Sequence, residues 1–136
     1  MEKQVRMKLR TVVLDCSNAE ELCAFYEKFL GWKLSYSEPG WLLMRDPSGG
    51  TGLAFQTEEE YEPPKWPEEP GSQQKMEHLD FLVEDLKAAA QHATDCGATL
   101  APTQFLDFVK VFFDPAGHPF CLFEDPRYVW DAPKEK

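Results

Sequence analysis

Residues 9–31 read LRTVVLDCSNAEELCAFYEKFLG, and residues 76–97 read MEHLDFLVEDLKAAAQHATDCG. The first stretch opens with residues 9–16, rich in β-branched side chains, which predicts a strand. Asn18 stands where a helix N-cap belongs, and Glu21 follows at the capping-box spacing. Leu22, Phe25, Tyr26, Phe29 and Leu30 then recur at i, i+3, i+4, i+7 and i+8, one apolar face of a helix. Gly31 ends it as a C′ residue would. The second stretch repeats the plan. Met76–Val83 predicts a strand, Asp85 sits near the cap, Leu86, Ala89, Ala90 and Ala93 share a helix face, and Gly97 stops it.

Outward from each helix the chain turns to short β segments. After the first they are Trp32–Ser37, Trp41–Arg45 and Gly52–Gln56, with turns at Pro39-Gly40 and at Pro47-Ser48-Gly49-Gly50. After the second they fall around 98–100, 107–113 and 119–124, with the turn Asp114-Pro115-Ala116-Gly117 before the last. The correspondence is close to constant. Asp46 and Asp114 lie 68 apart, Asn18 and Asp85 lie 67 apart, and Gly31 and Gly97 lie 66 apart. Duplication accounts for agreement at cap, helix stop and turn together. The predicted fold is therefore α+β, one domain of two tandem βαβββ modules. Module 1 covers about 8–56, a linker 57–75, module 2 about 76–125 and a tail 126–136. The linker, TEEEYEPPKWPEEPGSQQK, holds six Glu and four Pro without apolar periodicity and reads as extended and solvated. Trp66 is out of character there and is expected to fold back onto the domain.

A chain of 136 residues fits one domain and can bury a core without staples. Its 14 basic and 24 acidic residues give a net charge of −10. That surface repels phosphate backbones and anionic lipids, so neither nucleic acid nor membrane is expected as a partner. No apolar run is long enough to span a bilayer. The four cysteines form no CxxC pair, and MEKQVRMKLR contains no apolar h-region. A cytoplasmic protein with reduced thiols is the expectation.

The segments VVLDCSNAEELCAFYEKFLGW, HLDFLVEDLKAA and FFDPAGHPFCLFE, in this order, resemble the glyoxalase/bleomycin-resistance/dioxygenase (vicinal oxygen chelate) superfamily, and most closely its glyoxalase-like subgroup. The resemblance covers about residues 8–125. It implies paired modules whose mixed sheets curl into a cup with helices outside. It also implies a small ligand in the cup between the modules, often against a divalent metal, and a homodimer. In the three-ligand members the metal is held by a His on the first strand, a His on the fifth and a Glu on the last. Here those positions fall on Thr11, His78 and Cys121. One ligand type is kept, one is lost, and one becomes a thiol that suits softer ions. The cofactor is thus left open, with His78 and Cys121 as the metal-ligand candidates.

Strand alternation places Met76, His78, Asp80 and Leu82 on one face, with Thr11, Val13 and Asp15 on the matching face of the first strand and Cys121 and Phe123 on the last. If buried, two carboxylates beside an imidazole would suit acid/base work. The candidate catalytic residues are His78, Asp80 and Asp15. The candidate ligand-binding residues are Thr11, Val13, Trp41, Trp66, Cys121 and Phe123, with the two tryptophans as stacking walls. Gln56 and Glu124 fall on the strand faces opposite to Leu53 and Cys121, and His92 and His118 read as surface residues. Two functions follow. One is conversion of a small oxygen-rich molecule, of lyase or isomerase type. The other is metal-free sequestration of a cationic or aromatic molecule, of bleomycin-resistance type.

Overall fold

The computed structural model describes residues 5–131; the first four residues, and residues 132–136 of the predicted tail, lie outside the described part. Residues up to Glu62 form one compact unit and those from Pro63 a second. The first holds β1 (Thr11–Cys16), α1 (Ala19–Leu30), β2 (Leu34–Glu38), β3 (Trp41–Met44) and β4 (Gly52–Thr57). The second holds β5 (Leu79–Leu82), α2 (Leu86–Cys96), β6 (Thr99–Leu100), β7 (Val109–Phe113) and β8 (Pro119–Phe123). This is the α+β, twice-βαβββ arrangement that the sequence predicts. Among the described residues, no helix is long and apolar enough to cross a membrane.

Both sheets have the same topology, in the orders β1-β4-β3-β2 and β5-β8-β7-β6. In each, the first strand runs parallel to the last and the other pairs are antiparallel. The registers agree residue by residue. Val13 pairs with Ala54 and Asp80 with Cys121, so both partners shift by 67. The turn offset of 68 reflects one additional residue between Asp46 and Gly52 relative to Asp114 and Pro119.

The helix ends follow the predicted chemistry. Asn18 accepts the Glu21 N–H at 3.0 Å, and Asp85 accepts the Ala88 N–H at 3.1 Å. Gly31 and Gly97 terminate the helices at φ +72° and +112°, a region that side-chain-bearing residues rarely enter. In the first unit, Leu22, Phe25 and Tyr26 of α1 are buried, and the Tyr26 ring stacks on Phe55 of β4 at 5.5 Å. In the second, Ala93 of α2 is buried, and so are Phe112, Phe120 and Leu122 of the sheet.

Three expectations need correction. The strand predicted from Met76 starts only at Leu79, because Met76 adopts φ +60° and Glu77 donates its N–H back to the Lys75 carbonyl. A strand cannot run through that turn. Residues 58–78 carry no helix or strand, yet the linker is not extended. The Lys65 N–H donates to the Gln73 carbonyl at 2.8 Å, and Lys75 forms an ion pair with Glu68. Trp66 lies edge-on to Phe105 and Phe113, at 5.5 and 6.4 Å between centroids, so the second half of the linker belongs to the second unit. The segment following β8 is also more than a tail: Tyr128 and Trp130 meet edge to face at 5.1 Å.

Candidate functional site

Parallel pairing of β5 with β8 sets Asp80 beside Cys121. His78 precedes Asp80 by two residues, so the pleat sends both side chains to the same face. The result is a cluster in which His78, Asp80 and Cys121 each present a ligand atom, all within 4.8 Å of one another. His78 Nε2 lies 3.0 Å from Asp80 Oδ1. The Cys121 sulfur faces the Asp80 carboxylate within 4.8 Å. Partial burial, reinforced by the negative charge of Asp80, pushes the thiol up to about 11, with Lys75 acting in the opposite direction. At neutral pH the group is a protonated thiol and a weak nucleophile.

The condition set for acid/base work, burial of the two carboxylates, is not met. Asp80 has 57% of its side chain exposed, and Asp15 is exposed too. Strand alternation turns both to the face away from the helix-packed core, which leaves them in contact with water. Asp80 therefore stands as a solvent-exposed hydrogen-bond acceptor that could also serve as a metal ligand.

The first unit carries a different set. Its counterpart to His78 is Thr11, whose hydroxyl accepts a 2.7 Å hydrogen bond from the Arg45 guanidinium. A fixed positive charge at that position opposes a metal ion. The counterpart of Asp80 is Val13, 43% exposed, and that of Cys121 is Ala54, which is buried. Asp15 pairs with Gln56, which pairs in turn with Trp41, so these three form a row across β1, β4 and β3. Among the described residues, the group of donors that could hold a metal ion is thus on the second module.

Two other ligand-binding candidates occupy separate surroundings within the second unit. Trp66 stands in the aromatic group with Phe105 and Phe113. Phe123, two residues beyond Cys121 on β8, opens into a cavity bordered by the chain beyond β8. Sequence reading assigned no role to Lys75 or to Tyr128 and Trp130. The first is placed by the Met76 turn, and the others by the chain path after Phe123. The aromatic content of the segment RYVW was the one available signal.

The negative charge of Asp80 beside Cys121 predicts a measurable reactivity. In chelator-treated protein, Asp80→Asn should lower the thiol pKa, because the neighbouring negative charge is gone. Each unit of pKa is about tenfold in thiolate below the pKa. Iodoacetamide labelling of Cys121, followed by mass spectrometry at pH 8, should be several-fold faster in the variant. Equal rates would mean that Asp80 does not govern the thiol.

Comparison with known proteins agrees with this architecture. Residues 11–123 match the family model described as Glyoxalase-like domain. Among curated proteins, no relative matches the sequence. Similar solved structures include the glyoxalase family protein from Enterococcus faecalis, 24% identical with a TM-score of 0.65, covering 86% of this chain and 97% of that one. A glyoxalase/bleomycin resistance protein/dioxygenase family enzyme from Burkholderia phytofirmans PsJN is 17% identical with a TM-score of 0.66, covering 87% of this chain and 98% of that one. TnmS3, an antibiotic binding protein from Streptomyces sp. CB03234, is 18% identical with a TM-score of 0.62, covering 90% and 98%. These likenesses share the fold, and the match over 11–123 takes in every strand and both helices from β1 to β8: the chain belongs to the glyoxalase-like domain family.

Proposed function

We propose that this protein binds a small oxygen-rich molecule at the face carrying His78, Asp80 and Cys121, against a divalent ion held by those three side chains. The observation that carries the proposal is the convergence of an imidazole, a carboxylate and a thiol within 4.8 Å. Three donors leave coordination positions open, which is what a ligand with two adjacent oxygens needs. The sulfur favours a borderline ion such as zinc over magnesium. Such an ion would polarise a bound carbonyl, the chemistry needed for a lyase or isomerase. The protonated thiol sets a condition: the metal must displace the Cys121 proton, so uptake should be stronger at higher pH.

The test is metal content by mass spectrometry on protein purified without chelator or His tag and equilibrated with micromolar zinc. Wild type should hold about one equivalent, and His78→Ala should lose at least tenfold in affinity, as expected when one of three ligands is removed. Absence of metal from wild type at that concentration would overturn the metal reading. A homodimer and a cytoplasmic setting, with none of the four cysteines in a disulfide, belong to the same proposal. Light scattering on the same samples, against 15.6 kDa for one chain, tests the dimer.

A second reading is a metal-free binding protein. It is supported by the fold shared with TnmS3, whose description is that of an antibiotic binding protein, and by the raised thiol. It needs no ligand set, so Thr11 and the exposed Asp80 do not count against it.

A further inference from the structure

Beyond β8, the second unit contains an open cavity of about 730 Å³ that none of the chemistry above uses. This volume lies within the range of small-molecule sites. Four rings border it, from three separate parts of the chain: Phe108 from the loop before β7, Phe123 from the end of β8, and Tyr128 and Trp130 from the segment that follows. Phe108 is 60% exposed, Tyr128 50% and Trp130 42%, so their faces are available.

The charges around the rings have one predominant sign. Glu84, Glu124 and Asp125 contribute three carboxylates against a single guanidinium, that of Arg127. That guanidinium is already engaged, with Nε 3.2 Å from Asp125 Oδ1. The backbone N–H of Arg127 donates to the same oxygen, which holds Asp125 below the usual carboxylate range and keeps it ionised. An anion would meet this cavity, and the whole chain's charge of −10, as repulsion.

The walls are also fixed in place. Gln104 donates to the Ala101 and Val111 carbonyls and accepts from the Val111 N–H, which ties the loop carrying Phe108 onto β7. Glu124 accepts the Leu86 N–H at 2.7 Å, anchoring the end of β8 to the start of α2. The Tyr128 N–H donates to the Asp125 carbonyl at 3.0 Å, closing the turn that presents Tyr128 and Trp130. Rings held open to solvent beside a net negative charge form a receptor for a positive group, because each ring face is the negative side of its quadrupole.

We infer that this cavity is an aromatic box that binds an organic cation, of the quaternary or tertiary ammonium class. The rings supply cation–π contacts, and the carboxylates supply the attractive field. A bare metal ion would gain little from the rings, and a neutral apolar molecule would gain nothing from the carboxylates. The box shares no lining residue with the His78 cluster and differs from it in chemistry.

The test is titration of the isotope-labelled full chain with choline, followed by NMR, with 3,3-dimethylbutan-1-ol as the neutral control of the same shape. Choline should give saturable shifts at the Trp130 indole and at the amides of Phe108, Glu124 and Tyr128. The neutral alcohol should bind about tenfold more weakly, and Trp130→Ala should weaken choline by about tenfold. Glu84→Gln, a change at an exposed position, should weaken choline about threefold and reduce its salt dependence. Equal binding of the two compounds, or choline binding that survives Trp130→Ala, would overturn the assignment. So would light scattering showing a dimer whose formation alone perturbs the four reporter residues, since the rings would then be an interface between copies. The readout involves neither metal nor His78, so it stands or fails independently of the function proposed above.

Discussion

Phe120→Ala should lower the free energy of unfolding by about 3–5 kcal/mol, the range for truncating a fully buried Phe. Phe120 is 0% exposed and sits at the centre of the second sheet, between Leu79 of β5 and Phe112 of β7. Its ring stacks on Phe112 at 5.9 Å and meets the edge of Phe81 at 5.7 Å. Alanine would remove both contacts and leave a void that β-sheet neighbours cannot easily fill, since their backbones are fixed by the ladder. Against a total stability of about 5–15 kcal/mol, the loss is a large fraction. Phe105, 69% exposed in the loop before β7, is the internal comparison, and Phe105→Ala should cost about 1 kcal/mol or less. Urea unfolding of the two variants measures both. A loss below about 1.5 kcal/mol for Phe120→Ala would mean that the second sheet is not organised around that ring.

The duplicated plan was legible because its signals are local. A cap, an apolar face and a glycine stop lie within one stretch of chain, and in both copies the structure places the cap bonds where the spacing predicts. The last strand of each module was placed to within a residue, because a turn rich in Pro and Gly marks its start in both copies. What escaped was decided by non-local hydrogen bonds. Strand β6 is reduced to Thr99–Leu100, and the chain from Ala101 is held instead by Gln104 bonds that span seven residues to Val111. No periodicity announces a glutamine that replaces a strand partner. The left-handed Met76 is another case, since a methionine gives no sign of a turn that glycine or asparagine would give.

The cluster of His78, Asp80 and Cys121 was legible for the same reason as the fold. Alternation put two of them on one face, and the parallel register brought in the third. Their environment was not legible. Whether a strand face is wet or dry depends on what covers it, so alternation left the burial of Asp80 and Asp15 open, and the structure leaves both exposed. Lys75 and the rings after β8 reach their places through turns with no motif, so only their residue types could have drawn attention.

Asp114→Ala should cost about 2–4 kcal/mol, and Asp46→Ala, at the duplicate position, only about 1 kcal/mol. Both residues open the same DPxG turn, and both accept the N–H of the residue two further on, Ala116 or Ser48. The surroundings separate them. Asp114 is 4% exposed, and its carboxylate also accepts the His118 N–H at 3.0 Å, with His118 Nδ1 2.8 Å from Oδ2. An ionised carboxylate can only accept, so the imidazole donates from Nδ1. Asp46 is less buried, and in place of an imidazole it accepts the Ser48 hydroxyl at 2.7 Å. Removing Asp114 would leave two backbone N–H groups and a ring nitrogen without that partner in a covered site, where each lost bond leaves a desolvated donor behind. Removing Asp46 would expose its donors to water, which replaces the bonds at little cost. Asp114→Asn would keep an acceptor oxygen and should recover part of the loss. Thermal and urea unfolding of the three variants decide the matter. Equal costs at the two positions would show that burial does not distinguish the turns, and that His118 adds nothing to the second.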